Sequence, residues 1–114
     1  MSDVPGIIQI HDDVLADIAG FAAMEQYGVV GMASPSLRNG VAQLLSRDKL
    51  RRGVVIDHGE DGVHVDLYVV LEHGTNLTEV ARILAEKVRY ALECNANIKT
   101  SAVQVHVQDV KVRS

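Results

Sequence analysis

The sequence predicts an α+β fold, a two-layer sandwich in which one mixed sheet of about five strands has helices packed on one face. Three observations carry this expectation. The stretch from Val63 to Glu93 changes hydrophobic period from two to about 3.6 across Gly74-Thr75-Asn76-Leu77, so a strand gives way to a helix. Periodic segments follow one another as strand, helix, strand, helix, hairpin, helix, strand. The 114 residues contain no Trp, so the core must come from Val, Ile, Leu and Ala, which pack helices on sheets well. The chain is expected to form one domain, residues 1–114, without repeat, linker or low-complexity segment.

Each element has its own signal. Gly6 to Ile10 reads as a short strand, with Ile8 and Ile10 on one side and Gln9 on the other. Asp12 or Asp13 should cap a helix running to about Tyr27, with Val14, Leu15, Ile18, Ala22 and Glu25 at helical spacing. Its small pairs Ala19-Gly20 and Ala22-Ala23 let another element approach closely, and Gly28 should end it as a C′ glycine. Val29 to Ala33 reads as a strand closed by Ser34-Pro35. Ser36 should cap a further helix, Leu37 to about Ser46, carrying Leu37, Val41, Leu44 and Leu45. The run Arg47 to Arg52 leads into a strand from Gly53 to Asp57, which the turn Gly59-Glu60-Asp61-Gly62 joins to the next as a hairpin. In that next strand Val63, Val65, Leu67, Val69 and Leu71 alternate with His64, Asp66 and Tyr68, so one face is buried. Asn76 should N-cap the helix from Leu77 to about Glu93, with Glu79 completing a variant capping box. Val80, Ala81, Leu84, Val88 and Ala91 then face the core. From Ala102 to Val112 the alternation returns, with Val103, Val105 and Val107 opposite Gln104, His106 and Gln108.

Composition narrows the function classes. A formal net charge of -4 argues against a general nucleic-acid coat protein, and few aromatic residues are present to stack bases. The single Cys94 has no intramolecular partner and is expected to be a small buried or half-buried thiol in a reducing compartment. No apolar segment approaches the ~18 residues of a membrane span, and no basic residue leads an apolar run at the start. A cytoplasmic protein is expected, reaching a membrane only through a partner. Ser34, Ser36 and Ser46 lack a nucleophile-elbow context, and the glycines form no phosphate or dinucleotide fingerprint. An enzyme is not expected.

Three surfaces compete as candidates. If the valines face the helices, His64, Asp66, Tyr68, Gln104 and His106, with Gln9, share the opposite sheet face. Two His and an Asp on neighbouring strands are zinc ligands or an acid–base pair in the right setting. A solvated or oligomer-facing surface has the same pattern, and no fourth ligand or supporting shell is evident, so neither metal nor cofactor is expected. The second candidate is basic: Arg38, Arg47, Lys49, Arg51 and Arg52 are five of the eleven Lys and Arg residues. It suits an acidic partner, phosphates of RNA or lipid, or plain solvent. The third, Glu79, Arg82, Glu86, Arg89 and Glu93, has alternating sign at helical spacing and describes a solvated face.

Taken together, VPGIIQIHDDVLADIAGFAAMEQYGVVGM, RGVVI, DGVHVDLYVVLEHGTNLTEVARILAEKVRYALE and VQVHVQDV resemble the alkaline shock protein family, the Asp/Gls general-stress and envelope-stress type. The resemblance runs from Val4 to Val112, and the chain is most similar to the short branch without long charged tails. It implies a non-catalytic cytoplasmic scaffold or regulatory protein of Gram-positive bacteria, linked to cell-envelope homeostasis and to general or alkaline stress. It further implies protein–protein contacts, with a membrane-anchored relative or a fatty-acid-kinase-type neighbour as partner, and assembly into a homo-oligomer. Nucleic acid is not an expected partner, and direct membrane insertion is not expected. The alternative is a small RNA- or phospholipid-binding module using Arg38 to Arg52. The family pattern usually continues VHVQ with Gly; Asp109 stands there instead, which argues against a bulge at that point.

Overall fold

One strand organises the sheet. β3 (Gly62–Glu72) pairs antiparallel with β2 (Val54–Gly59) over its first half and with β1 (Val29–Met32) near its end. Along its other edge β4 (Thr100–Lys111) runs parallel to it, from Val63↔Thr100 to Glu72↔Lys111. β1 and β2 therefore lie end to end on one edge of β3, and the four-stranded sheet mixes antiparallel and parallel pairings. The computed structural model describes residues 11–36 and 40–112. The strand expected over 6–10, with Gln9, lies outside these residues, as do Leu37 and Arg38.

Among the described residues the other elements are two α-helices, α1 (Asp12–Met24) and α2 (Leu77–Asn95), and a 3₁₀ segment (Arg47–Gly53). The predicted alternation of β3 is present: Val63, Val65, Leu67, Val69 and Leu71 are buried in one cluster with Leu15 and Ala19 of α1 and Val80, Leu84, Val88 and Leu92 of α2. Asn76 caps α2 as expected, its side chain accepting from the Glu79 amide at 3.1 Å. Glu79 does not complete the capping box, because its carboxylate takes Arg82 instead. Asn97 ends the helix by adopting φ 55°, a conformation that asparagine tolerates.

α1 departs from its sequence reading in three ways. Its N-cap is His11, not Asp12 or Asp13, and the two acids occupy the first turn, where the helix dipole favours them. Val14 and Glu25 are exposed, and the buried stripe runs through Leu15, Ala16, Ala19, Gly20, Ala22 and Ala23. The helix stops at Met24, so Gly28 is no C′ residue; with φ 91° it makes the turn into β1 instead. The close approach predicted at Ala19-Gly20 is real. A Cβ on Gly20 would stand 3.1 Å from that of Leu50 in the 3₁₀ segment.

The largest difference lies between β1 and β2. The helix expected over 37–46 is absent from 40–46, which is extended and forms an isolated bridge, Ala33↔Leu44. Leu45 donates its amide to Met32 O at 2.8 Å, and Ala42 is buried with Ala33 and Val70 on the sheet face away from the helices. Asn39-Gly40 is the sequence reason: a turn-forming dipeptide interrupts the helical pattern, and Gly40 takes φ 72°. Val41 and Leu44, expected on a buried stripe, are 54% and 47% exposed. Cys94 is likewise exposed rather than buried or half-buried.

Candidate functional site

β3 and β4 adjoin, so the polar residues of the two strands meet on the face that α1 and α2 leave uncovered. The register sets Asp66 opposite Gln104 and Tyr68 opposite His106. His106 Nε2 lies 2.9 Å from Asp66 Oδ1, within hydrogen-bond reach. His64 Nε2 stands 3.8 Å from the same oxygen, beyond a hydrogen bond but close enough to feel its charge. The Tyr68 ring stacks on the His106 imidazole, with centroids 4.6 Å apart and planes 12° from parallel. Asp66 is the least accessible of the three, its side chain 18% exposed against 37% for His64 and 40% for His106. Gln104 is exposed beside them.

This arrangement is a carboxylate shared by two imidazoles and backed by an aromatic ring. It fixes the orientation of the His106 ring. No serine, threonine or cysteine belongs to it. Among the described residues no group of three or more His, Cys, Asp or Glu is disposed to hold a metal ion.

The sequence did not single out Gln108, although alternation placed it with Gln104 and His106. Its Nε2 donates to Ser34 O at 3.1 Å and Pro35 O at 3.2 Å, fastening β4 to the loop after β1. A bulge occurs at this point despite Asp109: Val69 pairs with Val107 and Val70 with Asp109, leaving Gln108 as the extra residue. Asp109 Oδ1 accepts the Val110 amide at 2.7 Å, so its side chain replaces a ladder contact that no glycine could make.

The described cations of the basic cluster have different neighbours, and Arg38 lies outside the described residues. Arg51 grips Asp17 with two hydrogen bonds, 3.2 and 3.0 Å, and reaches Asp13 at 3.1 Å, tying the 3₁₀ segment to α1. Asp12 contacts His58 of β2 at 2.7 Å, so the acids expected to cap α1 clamp it to its neighbours. The Arg47 guanidinium lies 5.9 Å from the centroid of the Phe21 ring. Lys49 and Arg52 line a concavity of about 530 Å³ together with Ser34, Ser36, Gln43 and Ser46. A second, of about 550 Å³, lies between Met24 and Val30 and is bounded by Glu72.

Charge is tuned at few places. The Ser46 hydroxyl donates to Asp48 at 2.7 Å and is the main reason that its carboxyl is held below the usual range; the backbone, Lys49 and Arg52 act in the same direction. On α2, hydrogen bonding to Arg82 lowers Glu79, and Arg82 is raised by Glu79 and then Glu86, which it meets at 2.7 Å. Glu93 leaves this series and accepts the Thr100 amide at 3.4 Å. Cys94, through a hydrogen bond and its charge, pushes Tyr90 up.

A model of the alkaline shock protein 23 family, described as having a cell envelope-related function, matches residues 1–112. The uncharacterized protein Spy1614 of Streptococcus pyogenes serotype M6 is 37% identical over 108 residues, spanning 94% of this chain and 89% of that protein. The uncharacterized protein YloU of Bacillus subtilis strain 168 is 34% identical over 108 residues, 94% of this chain and 90% of its own. Among solved structures, MamM-CTD 215-293 superposes with a TM-score of 0.52 at 13% identity, over 90% of this chain and 100% of its own. That likeness concerns the fold. Among the described residues no helix is long and apolar enough to cross a membrane.

Proposed function

This chain belongs to the alkaline shock protein family, whose function is cell envelope-related, and on that premise we propose that it is a non-catalytic scaffold or regulatory protein acting through protein contacts. In this reading it serves envelope homeostasis and the general or alkaline stress response from the cytoplasm, as a two-layer sandwich whose helices support an open sheet face. A membrane-anchored relative or a fatty-acid-kinase-type protein is the proposed partner, with self-association into a homo-oligomer. Membrane association is then indirect.

The observation that supports this reading is the Asp66–His106–Tyr68 arrangement on the uncovered face. Asp66 and His106 engage one another, and the Tyr68 ring is held by its stack on His106. A preordered aromatic and polar surface loses little conformational entropy when a partner covers it, which favours recognition.

A tagged chain recovered from its native cell, with and without crosslinking, tests the reading. A reproducible protein partner is expected, with recovery reduced about tenfold by Tyr68→Ala, as for an aromatic anchor near an interface centre. Recovery of RNA or lipid without any protein partner would overturn it, and so would a partner retained equally by the variant.

A further inference from the structure

We propose that the concavity lined by Ser34, Ser36, residues 43–46 and the 3₁₀ segment binds a phosphate monoester. It has a volume of about 530 Å³, ample for a phosphate group and part of what it is attached to. Its polar lining is cationic, hydroxylic and carboxamide: Lys49 and Arg52, Ser34, Ser36 and Ser46, and Gln43.

Among the four described cations of the basic cluster, the contacts of the other two leave this pair. Arg51 is occupied by Asp13 and Asp17, and Arg47 lies over Phe21. Neither the Lys49 ammonium nor the Arg52 guanidinium has a hydrogen bond or ion pair among the described residues, and both act on Asp48 only through space. With Asp48 counted, the site keeps a net positive charge. Ser46 already gives its proton to Asp48, which leaves other neutral donors to complete the site. Ser34 Oγ accepts the Ser36 amide at 3.3 Å, so its own hydroxyl proton remains available. Gln43 supplies a carboxamide.

Two cations suit a dianion better than a carboxylate, and several donors suit a tetrahedral group with three free oxygens. Lysine serves as a point charge and arginine as a planar fork, a common division of labour around phosphate. A nucleic-acid strand would need a track of cations and exposed stacking rings. Here the ring nearest the cluster, Phe21, lies beneath Arg47.

The walls are anchored. The Ala33↔Leu44 bridge and the Leu45-to-Met32 bond hold Leu44 and Leu45, and Gln108 holds the backbone at Ser34 and Pro35. Gly53 lets the 3₁₀ segment close against β1, since a Cβ there would stand 2.8 Å from Ala33 O. This proposal does not depend on the protein-contact reading. A purified chain without any partner should still bind.

The test titrates the purified chain with inorganic phosphate, glycerol 3-phosphate and glycerol, following backbone amide shifts by NMR. Parallel arms use phosphatidylcholine vesicles with and without phosphatidic acid. Saturable binding with shifts concentrated at 34–36 and 43–53 is expected for the phosphate-bearing probes and none for glycerol. Response to the soluble ester identifies a free phosphorylated ligand, and response to phosphatidic acid alone identifies a lipid headgroup; either supports the site. Replacing Lys49→Gln with Arg52→Gln should weaken binding about tenfold or more, since two charge-assisted contacts are lost. Lys87→Gln with Arg89→Gln on α2 makes the same change in net charge and should weaken it by less than about twofold, through screened long-range attraction alone. Ser36→Ala, which alters no charge, should weaken it a few-fold. No saturable response to any phosphate-bearing probe, or equal losses in the two double variants, overturns the proposal.

Discussion

The β3–α2–β4 unit and residues 33–53 obey the same physical chemistry but differ in how far their structure is local. In the first, period-two and helical patterns are long, α2 is capped, and each predicted inward position of β3 is buried. In the second, apolar residues at helical spacing surround Asn39-Gly40, and long-range contacts with β1 and Val70 set the conformation. Periodicity thus decides structure where it persists over several turns. Where it is short and contains a breaker, an unpaired strand edge nearby decides instead.

The strongest challenge to this contrast lies in the core of the first region. Leu84 is fully buried on α2 against the sheet, so Leu84→Ala should cost about 2–5 kcal/mol in denaturant unfolding. A variant that unfolds like the parent would show that the helix does not carry the core. In the second region the corresponding probe is a glycine. Gly53→Ala brings a methyl to within 2.8 Å of Ala33 O, and the rigid backbone on both sides should make it cost about 1–3 kcal/mol. If Gly53→Ala is neutral, the 3₁₀ segment does not press on β1 and the region is looser than its contacts indicate.

Smaller effects resolve finer differences between the two regions. Asn76→Ala removes the bond to the Glu79 amide and should lower stability by about 1 kcal/mol, while Asn76→Asp should retain most of it; equilibrium melts of both variants distinguish a cap from a mere turn residue. The smallest effect belongs to Asp48 in the second region. Its folded carboxyl titrates below its ordinary value, so the unfolded chain takes up the proton first as pH falls. The stabilisation is present above the ordinary carboxylate value and fades as pH falls through the lowered one. Ser46→Ala removes the principal cause, so the melting temperatures of variant and parent should differ near neutrality and converge in acid. A difference that persists unchanged at acid pH would mean that Ser46 acts by something other than its bond to Asp48.

The candidate sites were legible to different degrees. Alternation identified His64, Asp66, Tyr68 and His106 as sharing a face, because side chains two apart on a strand point the same way. It could not give the contact between Asp66 and His106, forty residues apart, since that depends on β4 lying beside β3 in parallel register. The basic cluster was visible as a run of charge, yet its partition was not. Arg51 is neutralised by acids on α1 thirty-four or more residues away, and only folding brings them together.

What the sequence determined by itself was therefore the class of the fold, the hairpin, the capped α2, the inward face of β3 and the family. All of these rest on interactions within one element or one turn, or on the order of such elements. Tertiary structure alone decided that β4 runs parallel along β3, that Leu44 and Leu45 join Ala33 and Met32, and which of the described cations pair with the acids of α1. These outcomes are choices among distant pairings. A strand edge or a carboxylate accepts any suitable mate, and the packing of the whole chain selects which one arrives.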